Sequence, residues 1–405
     1  MQSVQHLIFK NIPLLIIFLL LFSNHPLSAQ QTKLEMSNLI DRQFKLAEKQ
    51  YQFLAKNTPI GRMPKTYYAK NNKFETSDTK WWCSGFYPGS LLFIYEYTKN
   101  QDVLKEAEKR LASLEKEKHY KGNHDLGFMM YCSFGNAYRL TKSSEYKKTI
   151  DTAAASLATR YRPIAKVIQS WDANKTWKGP VIIDNLMNLE LLMWVAQNGG
   201  DQNYSNIAIN HANKTLINHF RPDFSSYHVV DYDMSNGNII KKGTAQGASD
   251  SSAWSRGQGW ALYGYTLMYR FTKDKRYLKT AQNIAKFVLQ HPNLPKDKIP
   301  YWDFNAAGIP DTYRDASAAA VIASALLELG QYVPSKEKIY YASQAKEMLI
   351  SLSSSTYTAQ EGTNGGFLLK HSMGALPLKS EVDVPLTYAD YYYLEALLRY
   401  KKWYL

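Results

Sequence analysis

Apolar residues recur at helical spacing along almost the whole chain, and this periodicity restricts its fold more than any other feature. Short polar breaks that contain glycine or proline separate the periodic segments. The pattern predicts about twelve helices, which alternate between a more apolar and a more amphipathic member. Their predicted bounds are Ser37–Ala55, Gly85–Lys99, Gln101–Lys116, Asp125–Leu140, Ser144–Thr159, Asp184–Gln197, Gln202–Phe220, Ser255–Phe271, Lys275–Gln290, Asp315–Leu329, Ser335–Ser351 and Thr387–Tyr400.

Consecutive helices pair as hairpins, and about six such hairpins predict an all-α fold, the (α/α)6 toroid, with an inner ring wrapped by an outer ring. An open solenoid is the alternative, but solenoid repeats have a fixed period. The predicted inner helices instead begin unevenly, near residues 85, 125, 184, 255, 315 and 387. No Ser/Gly-rich linker divides the chain, so residues 30–405 are predicted to form a single domain. Strand-like sequence is confined to loops, chiefly His228–Ile240, where Asn236-Gly237 predicts a hairpin turn.

The N-terminus has the pattern of a secretory signal peptide. Lys10 is the only Lys or Arg before position 30, and an apolar stretch follows it from Ile12 to Phe22. Small residues precede a predicted cleavage after Ala29. The sequence therefore predicts a signal peptide over residues 1–29 and an exported protein, periplasmic or secreted, without a stable membrane anchor. An uncleaved anchor is the alternative, although the apolar run is short for a full membrane span.

The chain is basic, with 49 Lys and Arg against 35 Asp and Glu, a difference of 49 − 35 = +14. Nucleic-acid-binding proteins usually concentrate such charge in a stripe or tail. Here the clusters, such as Lys241-Lys242 and Lys401-Lys402, are short and scattered, which argues against a nucleic-acid partner. Positive charge combined with 14% aromatic residues favours an anionic, ring-shaped ligand instead.

Other common functional signatures are missing from the sequence. The nine histidines show no metal-binding spacing, and no P-loop, dinucleotide fingerprint or nucleophile elbow is present. No metal or organic cofactor is therefore expected. The two cysteines, Cys83 and Cys132, leave one disulfide bridge or two free thiols open.

Unusual residues cluster at the beginnings of the predicted inner helices. The inner helices of a toroid run in the same direction, so their N-termini meet at one rim and favour anions there. The sequence thus predicts an aromatic-walled pocket that contains carboxylates and accepts an anion. The residues concerned are Trp81-Trp82, His124-Asp125, Asp184, Trp254 to Arg256 and Tyr313 to Asp315.

Two of these carboxylates have both a structural and a catalytic interpretation. Asp125 and Asp184 are each well placed to cap a helix N-terminus. Asp184, however, follows Val181–Ile183 and precedes a largely apolar helix, so its carboxyl is expected to be poorly solvated. Desolvation and a neighbouring carboxylate both raise a carboxyl pKa, which is what a proton donor near neutral pH requires.

The segment from Thr244 to Trp260 is the densest in functional residue types. Trp254 and Trp260 supply aromatic faces for stacking, and Arg256 offers a planar fork that fits a carboxylate. A cation–π contact between Arg256 and the tryptophans is the alternative. His228 is a candidate ligand-binding residue or a structural histidine, and spacing alone leaves both open.

The chain resembles the bacterial unsaturated glucuronyl hydrolases, glycoside hydrolase family 88. The resemblance extends over most of the chain. No single motif carries it; it rests on seven segments that occur in the same order. Its segments are Trp82–Gly89, His124–Phe128, Ile183–Leu189, Gln246–Trp260, Tyr301–Phe304, Tyr313–Ala318 and Tyr388–Ala396.

This resemblance implies a catalytic (α/α)6 barrel and an enzyme of polysaccharide degradation without a cofactor. Such hydrolases remove the 4,5-unsaturated uronic acid that polysaccharide lyases leave at the non-reducing end of oligosaccharides. They hydrate its vinyl ether rather than displace a group at the anomeric carbon. By analogy, Asp184 is the general acid/base that protonates C4 and activates water for C5. Asp125 is the auxiliary carboxylate.

The resemblance also implies a set of substrate-binding residues. It assigns binding or stacking roles to His228, Gln246, Trp254, Arg256 and Trp260, and aromatic wall positions to Trp82 and Phe86, with His124 beside Asp125. The segment Gly366–Pro377, which includes His371 and Ser372, matches the family pattern least well and is expected to set specificity for the leaving sugar.

Two alternatives remain beside this interpretation, the sister family of unsaturated rhamnogalacturonyl hydrolases and a non-catalytic acidic-glycan-binding protein with the same fold. The sequence leaves open the oligomeric state and the preferred lyase product, whether from chondroitin, hyaluronan, heparan, gellan-type polysaccharides or algal ulvan.

Overall fold

The structure, a computed structural model, describes residues 14–405, with side chains described from Gln30 onward except that of Thr32. Residues 1–13 of the predicted signal peptide, and all of its side chains, lie outside this description. Among the described residues, none of the helices combines the length and the apolarity that crossing a membrane requires.

Twelve α-helices and one π-helix make up most of the described chain. Their bounds agree closely with the predicted ones except at the first helix, which begins well before Ser37. The helices are α1 Leu14–Asn57, α2 Phe86–Thr98, α3 Gln101–Leu114, the π-helix Gly127–Gly135 continued by α4 Asn136–Thr141, α5 Ser144–Ala158, α6 Asn185–Gln197, α7 Asn203–Asn218, α8 Ser255–Thr272, α9 Lys275–Gln290, α10 Ala316–Leu329, α11 Ser335–Leu352 and α12 Thr387–Tyr404.

The helices form a closed double ring. In the inner ring, α2, the π-helix, α6, α8, α10 and α12 contact one another in that order, and α12 closes the ring on α2. The outer helices α3, α5, α7, α9 and α11 each pack on the inner helix that precedes them, while α1 packs on both α2 and α12. The predicted (α/α)6 toroid is thus confirmed, and contact between the last and the first inner helix excludes an open solenoid.

The amino-acid pattern explains which helices lie inside. Helix α10, with the sequence ASAAAVIASALLEL, is buried at every position, because it packs against neighbours on all sides. Helix α9 instead buries one face, which includes Tyr277, Ile284 and Val288, and exposes lysines on the other. A continuous core of buried apolar side chains extends from Met36 to Tyr400.

Short antiparallel strands occupy the loops at the rim. The predicted hairpin within His228–Ile240 is confirmed, with Gly237 at φ 77° in its turn. The other strands carry no clear period-two signal, since several have only two or three residues and the longest, Met63–Tyr68, does not alternate between apolar and polar side chains. The strands are β1 Met63–Tyr68 paired with β2 Lys73–Ser77, β3 Tyr161–Arg162 with β4 Val167–Ile168, the sheet of β5 Pro180–Ile182, β6 Val229–Tyr232 and β7 Ile239–Gly243, and β8 Ser372–Ala375 with β9 Ser380–Val384.

The second inner-ring segment in the chain differs from the prediction of one regular helix over Asp125–Leu140. It is a π-helix over Gly127–Gly135 that continues as an α-helix. Close packing accompanies the wider turn: a Cβ on Gly85 of the loop before α2 would lie 2.2 Å from the carbonyl oxygen of Met129. A period of 3.6 cannot be told from a wider one over nine mostly apolar residues, so the sequence alone could not predict it.

The cysteines are not bridged. Cys83 is buried, Cys132 is partly buried, and both are free thiols. The two free thiols left open by the sequence are therefore the observed state.

Candidate active site

Asp184 lies at the rim where the inner helices begin, between strand β5 and helix α6. It occupies the residue before the first turn of α6, but its side chain makes no capping hydrogen bond. Asp315, which precedes α10, does cap its helix by accepting hydrogen bonds from the backbone N–H groups of Ser317 and Ala318. Helix capping therefore accounts for Asp315 and leaves the Asp184 carboxyl without a structural role at its helix end.

The three-stranded sheet brings His228 to Asp184. Strand β5 ends just before Asp184 and pairs with β6, which begins just after His228. The Ile183 N–H donates to the His228 carbonyl at 3.0 Å. As a result, His228 Nε2 lies 3.6 Å from Asp184 Oδ2.

The hydrogen bonds of His228 fix which ring nitrogen carries the proton. Nδ1 accepts from the backbone N–H groups of Ala245 at 3.0 Å and Gln246 at 3.2 Å. We therefore assign the proton of the neutral ring to Nε2, which faces Asp184. Both Nε2 and Asp184 Oδ2 are buried, and neither has a hydrogen-bond partner among the described residues. These two atoms are thus available to a third group.

Asp125 lies at the same rim, just before the π-helix. Its Oδ1 is 3.3 Å from His124 Nε2, and its N–H donates to Asn123 Oδ1 at 3.0 Å. The π-helix is tied to α6 because the Phe128 N–H donates to Asn188 Oδ1 at 2.9 Å. Asp125 and Asp184 therefore precede two inner helices that are in direct contact.

Burial shifts both carboxyls in the same direction. It raises the pKa of Asp184 to about 7, and the negative charge of Asp125 adds to this while the Arg256 guanidinium opposes it. Burial also raises the pKa of Asp125 to about 7, against the opposing charge of Arg160. The two carboxyls are thus poised to hold or release a proton near neutral pH.

The two histidines of the site stay neutral there. Burial lowers the pKa of His124 to about 3 and, with the nearby Arg256 charge, that of His228 to about 3. Neither ring is charged at neutral pH, although each neutral ring can still donate one hydrogen bond. In these two acid–histidine contacts the carboxyls are therefore the groups that titrate.

Arg256, predicted to bind a substrate carboxylate, makes several contacts within the protein. Its guanidinium is buried and pairs with Asp315 Oδ2 at 3.1 Å. It also donates to the Gly374 carbonyl at 2.7 Å and to the Met373 carbonyl. Both terminal nitrogens therefore have acceptors within the protein, while the buried Nε has none among the described residues, and the role of Arg256 in binding a substrate carboxylate stays a prediction. Arg256 ties α8 to α10 and β8, and its charge acts on Asp184.

Arg256 also makes the cation–π contact that the sequence indicates as an alternative role. Its guanidinium lies 4.6 Å from the ring centroid of Trp254 and 5.1 Å from that of Tyr388. Trp254 in turn contacts the His228 ring, with the centroids 4.8 Å apart. These aromatic contacts, together with the ion pair to Asp315, hold the guanidinium in one orientation.

Only some of the predicted aromatic faces are accessible. Trp82 is half-buried at the rim, with its ring centroid 5.0 Å from that of Tyr388. Phe86 and Trp260 are fully buried and pack against Phe128. The rings of Phe86 and Trp260 are therefore covered by neighbouring side chains in this structure, and the wall role of Phe86 and the binding role of Trp260 stay predictions.

The side chain of Gln246 is hydrogen-bonded to the backbone of strand β8. Gln246 Nε2 donates to the Gly374 carbonyl at 3.2 Å, the same oxygen that accepts from Arg256. The segment Gly366–Pro377, least well matched in the sequence, therefore lies beside the predicted substrate-binding residues. Within it, Ser372 is buried, while His371 is partly exposed and contacts Asp383 at 2.8 Å.

Sequence reasoning missed several residues of the site. Tyr388 contacts both Trp82 and Arg256, and its position at the start of α12 was the available signal. Arg160 lies far from the motifs, yet its charge opposes the pKa shift of Asp125. Glu381 is buried, and burial raises its pKa against the charges of Lys65 and Arg256. No sequence pattern indicated Arg160 or Glu381.

Residues 58–403 match the family model described as Glycosyl Hydrolase Family 88. The chain belongs to this family. It is 43% identical over 374 residues to an unsaturated glucuronyl hydrolase of Formosa agariphila, with 91% of this chain and 92% of the relative covered.

Solved structures agree with this family 88 assignment. A structure described as an unsaturated glucuronyl hydrolase specific for heparin matches with a TM-score of 0.87 and 44% identity, over 90% of this chain and 97% of the other. A mutant of the Streptococcus agalactiae enzyme complexed with dGlcA-GalNAc6S matches with a TM-score of 0.76 and 30% identity, over 90% and 92% of the two chains. The family resemblance is therefore confirmed, and the chain is a glycosyl hydrolase rather than a non-catalytic binding protein.

The described residues contain no group of three or more His, Cys, Asp or Glu side chains positioned to hold a metal ion. The titratable side chains of the site in this family 88 chain are instead paired, each carboxyl with one histidine.

Replacing Asp184 with Asn is expected to stabilise the protein at alkaline pH. The pKa of this carboxyl is about 7 in the folded state and near its ordinary 3.8 in the unfolded state. The free energy of unfolding therefore falls as pH rises from about 4 to about 7. The substitution removes that cost, at most about 4 kcal/mol above pH 7. Thermal unfolding midpoints at pH 5 and pH 8.5 should show a larger gain at pH 8.5. Asp102→Asn, at a highly exposed carboxylate, is the control; an equal gain at both pH values contradicts the buried-acid assignment.

Proposed function

We propose that this family 88 hydrolase removes the 4,5-unsaturated uronic acid from the non-reducing end of lyase-derived oligosaccharides, by hydrating the C4=C5 double bond. One observation carries the proposal: two carboxyls, the buried Asp184 and the mostly buried Asp125, precede adjacent inner helices, and the pKa of each is raised to about 7. The substrate class is supported by the relatives, which include an unsaturated glucuronyl hydrolase and a complex with dGlcA-GalNAc6S.

In the first step, protonated Asp184 acts as a general acid. The π electrons of the vinyl ether form a new C4–H bond with the Asp184 proton, and the O–H bond of the carboxyl breaks. Positive charge then develops at C5 and is shared with the ring oxygen. The carboxylate left on Asp184 and the neighbouring Asp125 stabilise that charge electrostatically.

In the second step, the Asp184 carboxylate acts as a general base. It takes a proton from a water molecule while the water oxygen bonds to C5, which forms a hemiketal and restores the protonated acid. Cleavage of the bond between C5 and the ring oxygen then gives a C5 ketone and a hemiacetal at C1. Collapse of this hemiacetal releases the leaving sugar, so the carboxylate-separation rule for direct displacement does not apply.

The remaining polar groups are suited to hold the substrate. His228 presents an Nε2 proton, held there by two backbone donors at Nδ1, and this proton is available to a sugar oxygen beside Asp184. Trp82 offers a half-exposed ring at the rim. We assign Trp254, Gln246 and Arg256 to the same substrate subsite, since Arg256 lies beside the Trp254 ring and shares the Gly374 carbonyl with Gln246.

We propose that the leaving sugar contacts the Gly366–Pro377 segment. This proposal is supported by the hydrogen bond that joins Gly374 of β8 to Gln246, since the segment thereby borders the proposed uronate subsite. A leaving sugar derived from a glycosaminoglycan agrees with the ligands named for the related structures.

The Asp184→Asn variant is expected to lose activity by about 10²–10⁴-fold in kcat, because an amide cannot donate the required proton. Loss of the ultraviolet absorbance of the conjugated double bond in unsaturated chondroitin and heparin disaccharides measures the rate. Asp102→Asn is the matched control and should keep wild-type kcat, since this carboxylate is exposed on α3. If Asp184→Asn kept wild-type kcat, or the wild type left every disaccharide unchanged, the proposed function would be wrong.

The kcat of the wild type is expected to fall as pH rises through about 7, because Asp184 must hold a proton. The negative charge of Asp125 raises the pKa of Asp184, so Asp125→Asn should move this alkaline limb to lower pH as well as reduce kcat. Initial rates at saturating substrate across pH 5–9 test this. A limb that stays in place in Asp125→Asn would show that the two carboxyls are not electrostatically coupled.

We propose that the enzyme is exported after removal of residues 1–29. The proposal rests on the sequence around Lys10 and Ala29, which has the pattern of a cleavable signal peptide. Expression in a bacterial host followed by N-terminal sequencing of the extracytoplasmic protein should give Gln30 as the first residue. Retention of the leader in membrane-bound protein would indicate an uncleaved anchor instead.

A further inference from the structure

A second cavity opens at the rim opposite the active site. It has a volume of about 550 Å³ and is lined by residues near the C-terminal ends of the inner helices, among them Lys142 after α4, Arg270 of α8 and Lys402 of α12. We call it the lower chamber. Its volume lies within the range typical of small-molecule sites.

The lower chamber is separate from the active site. Its lining reaches Phe128 and Met187, each one helical turn beyond Asp125 and Asp184. Phe128 packs on the buried Trp260 with the ring centroids 5.1 Å apart. This aromatic layer lies between the chamber and the carboxyls, so the chamber is not an extension of the uronate subsite proposed above.

Ion pairs line the interior of the chamber. Arg270 contacts Glu190 at 2.6 Å and Glu328 at 3.2 Å, and Arg399 contacts Glu328 at 3.1 Å and Glu395 at 3.5 Å. These pairs join α6, α8, α10 and α12. Each of these three carboxylates therefore has an arginine partner, although the carboxylates outnumber the two arginines by one.

The charge that remains is positive and lies at the mouth. The lining contains six Lys and Arg but four Glu, a difference of 6 − 4 = +2. Lys142 and Lys402 are exposed, and neither has a carboxylate within 4 Å in the part of the chain that the structure describes. Unpaired lysines beside a concave surface favour an anionic ligand.

The wall of the chamber is suited to a ring. Trp194 is half-buried and packs edge-on against Tyr138, with ring centroids 5.3 Å apart, and against Tyr131 at 5.9 Å. Gln331 Nε2 is a buried donor with no partner among the described residues. Aromatic faces, a free amide donor and Arg–Glu pairs together match a ligand with a ring, hydroxyl groups and one negative charge.

We propose that the lower chamber is a second, non-catalytic binding site for a monosaccharide-sized sugar acid, such as a uronate. The proposal goes beyond the hydrolytic function and does not depend on it, because no residue of the chamber is assigned a role at C4 or C5. The positive mouth attracts the carboxylate, the tryptophan contacts the ring, and the buried polar groups bond to the hydroxyls.

The test uses the full chain, with sodium glucuronate as the probe and glucose as the uncharged control. Calorimetric titration and a crystal soaked in glucuronate should show the sugar acid in the chamber against Trp194. The double charge reversal Lys142→Glu with Lys402→Glu should weaken this binding about tenfold. The matched control, Lys109→Glu with Lys148→Glu on exposed outer helices, should leave it unchanged.

Other outcomes overturn the proposal. Glucuronate found only beside Asp184, glucose bound as tightly as glucuronate, or equal binding in both double variants would each contradict it. If inorganic sulfate at equal concentration displaced all of the glucuronate, the chamber would be a site for anions in general and not for a sugar acid. Circular dichroism and disaccharide hydrolysis should be unaltered in both double variants, so a failure here is distinguishable from a failure of the hydrolytic mechanism.

Discussion

Closure of the inner ring is the constraint on which the rest of this structure depends. Contact between α12 and α2 closes the ring, and because an outer helix returns the chain between consecutive inner helices, the inner helices all begin at one rim. Residues far apart in the chain, such as Asp125 and Asp184, therefore lie at the same rim, although no sequence motif links them. The rim also surrounds them with apolar helices, and the resulting desolvation raises both carboxyl pKa values to about 7.

The buried ion pair of Arg256 and Asp315 connects structural elements at the same rim. A buried guanidinium without a partner is costly, so Arg256 satisfies Asp315 and two carbonyls of β8 together. Its charge nevertheless reaches Asp184 and opposes the effect of burial on that pKa. One arginine therefore both joins the β8 hairpin to the inner ring and limits how far burial raises the pKa of Asp184.

Local features of the sequence predicted the fold and the position of the site. Ser255, Lys275 and Thr387 begin helices as predicted, because helix starts follow from nearby breaks and periodicity. Asp184 stood out as a charged residue between apolar segments. The partners of Arg256 could not be predicted, since Met373 lies 117 positions away. Which tryptophan faces the rim, Trp82 and not Trp260, also depends on how the closed ring packs.

The π-helix over Gly127–Gly135 has a consequence for how this site is adjusted. Each residue of an ordinary helix turns the chain by about 100°, so removing the wider turn would swing Asp125 around the axis while its neighbours on α6 stayed still. The wider turn thereby sets the direction of the Asp125 side chain relative to Asp184, whereas the diameter of the barrel is set by the contacts between neighbouring inner helices.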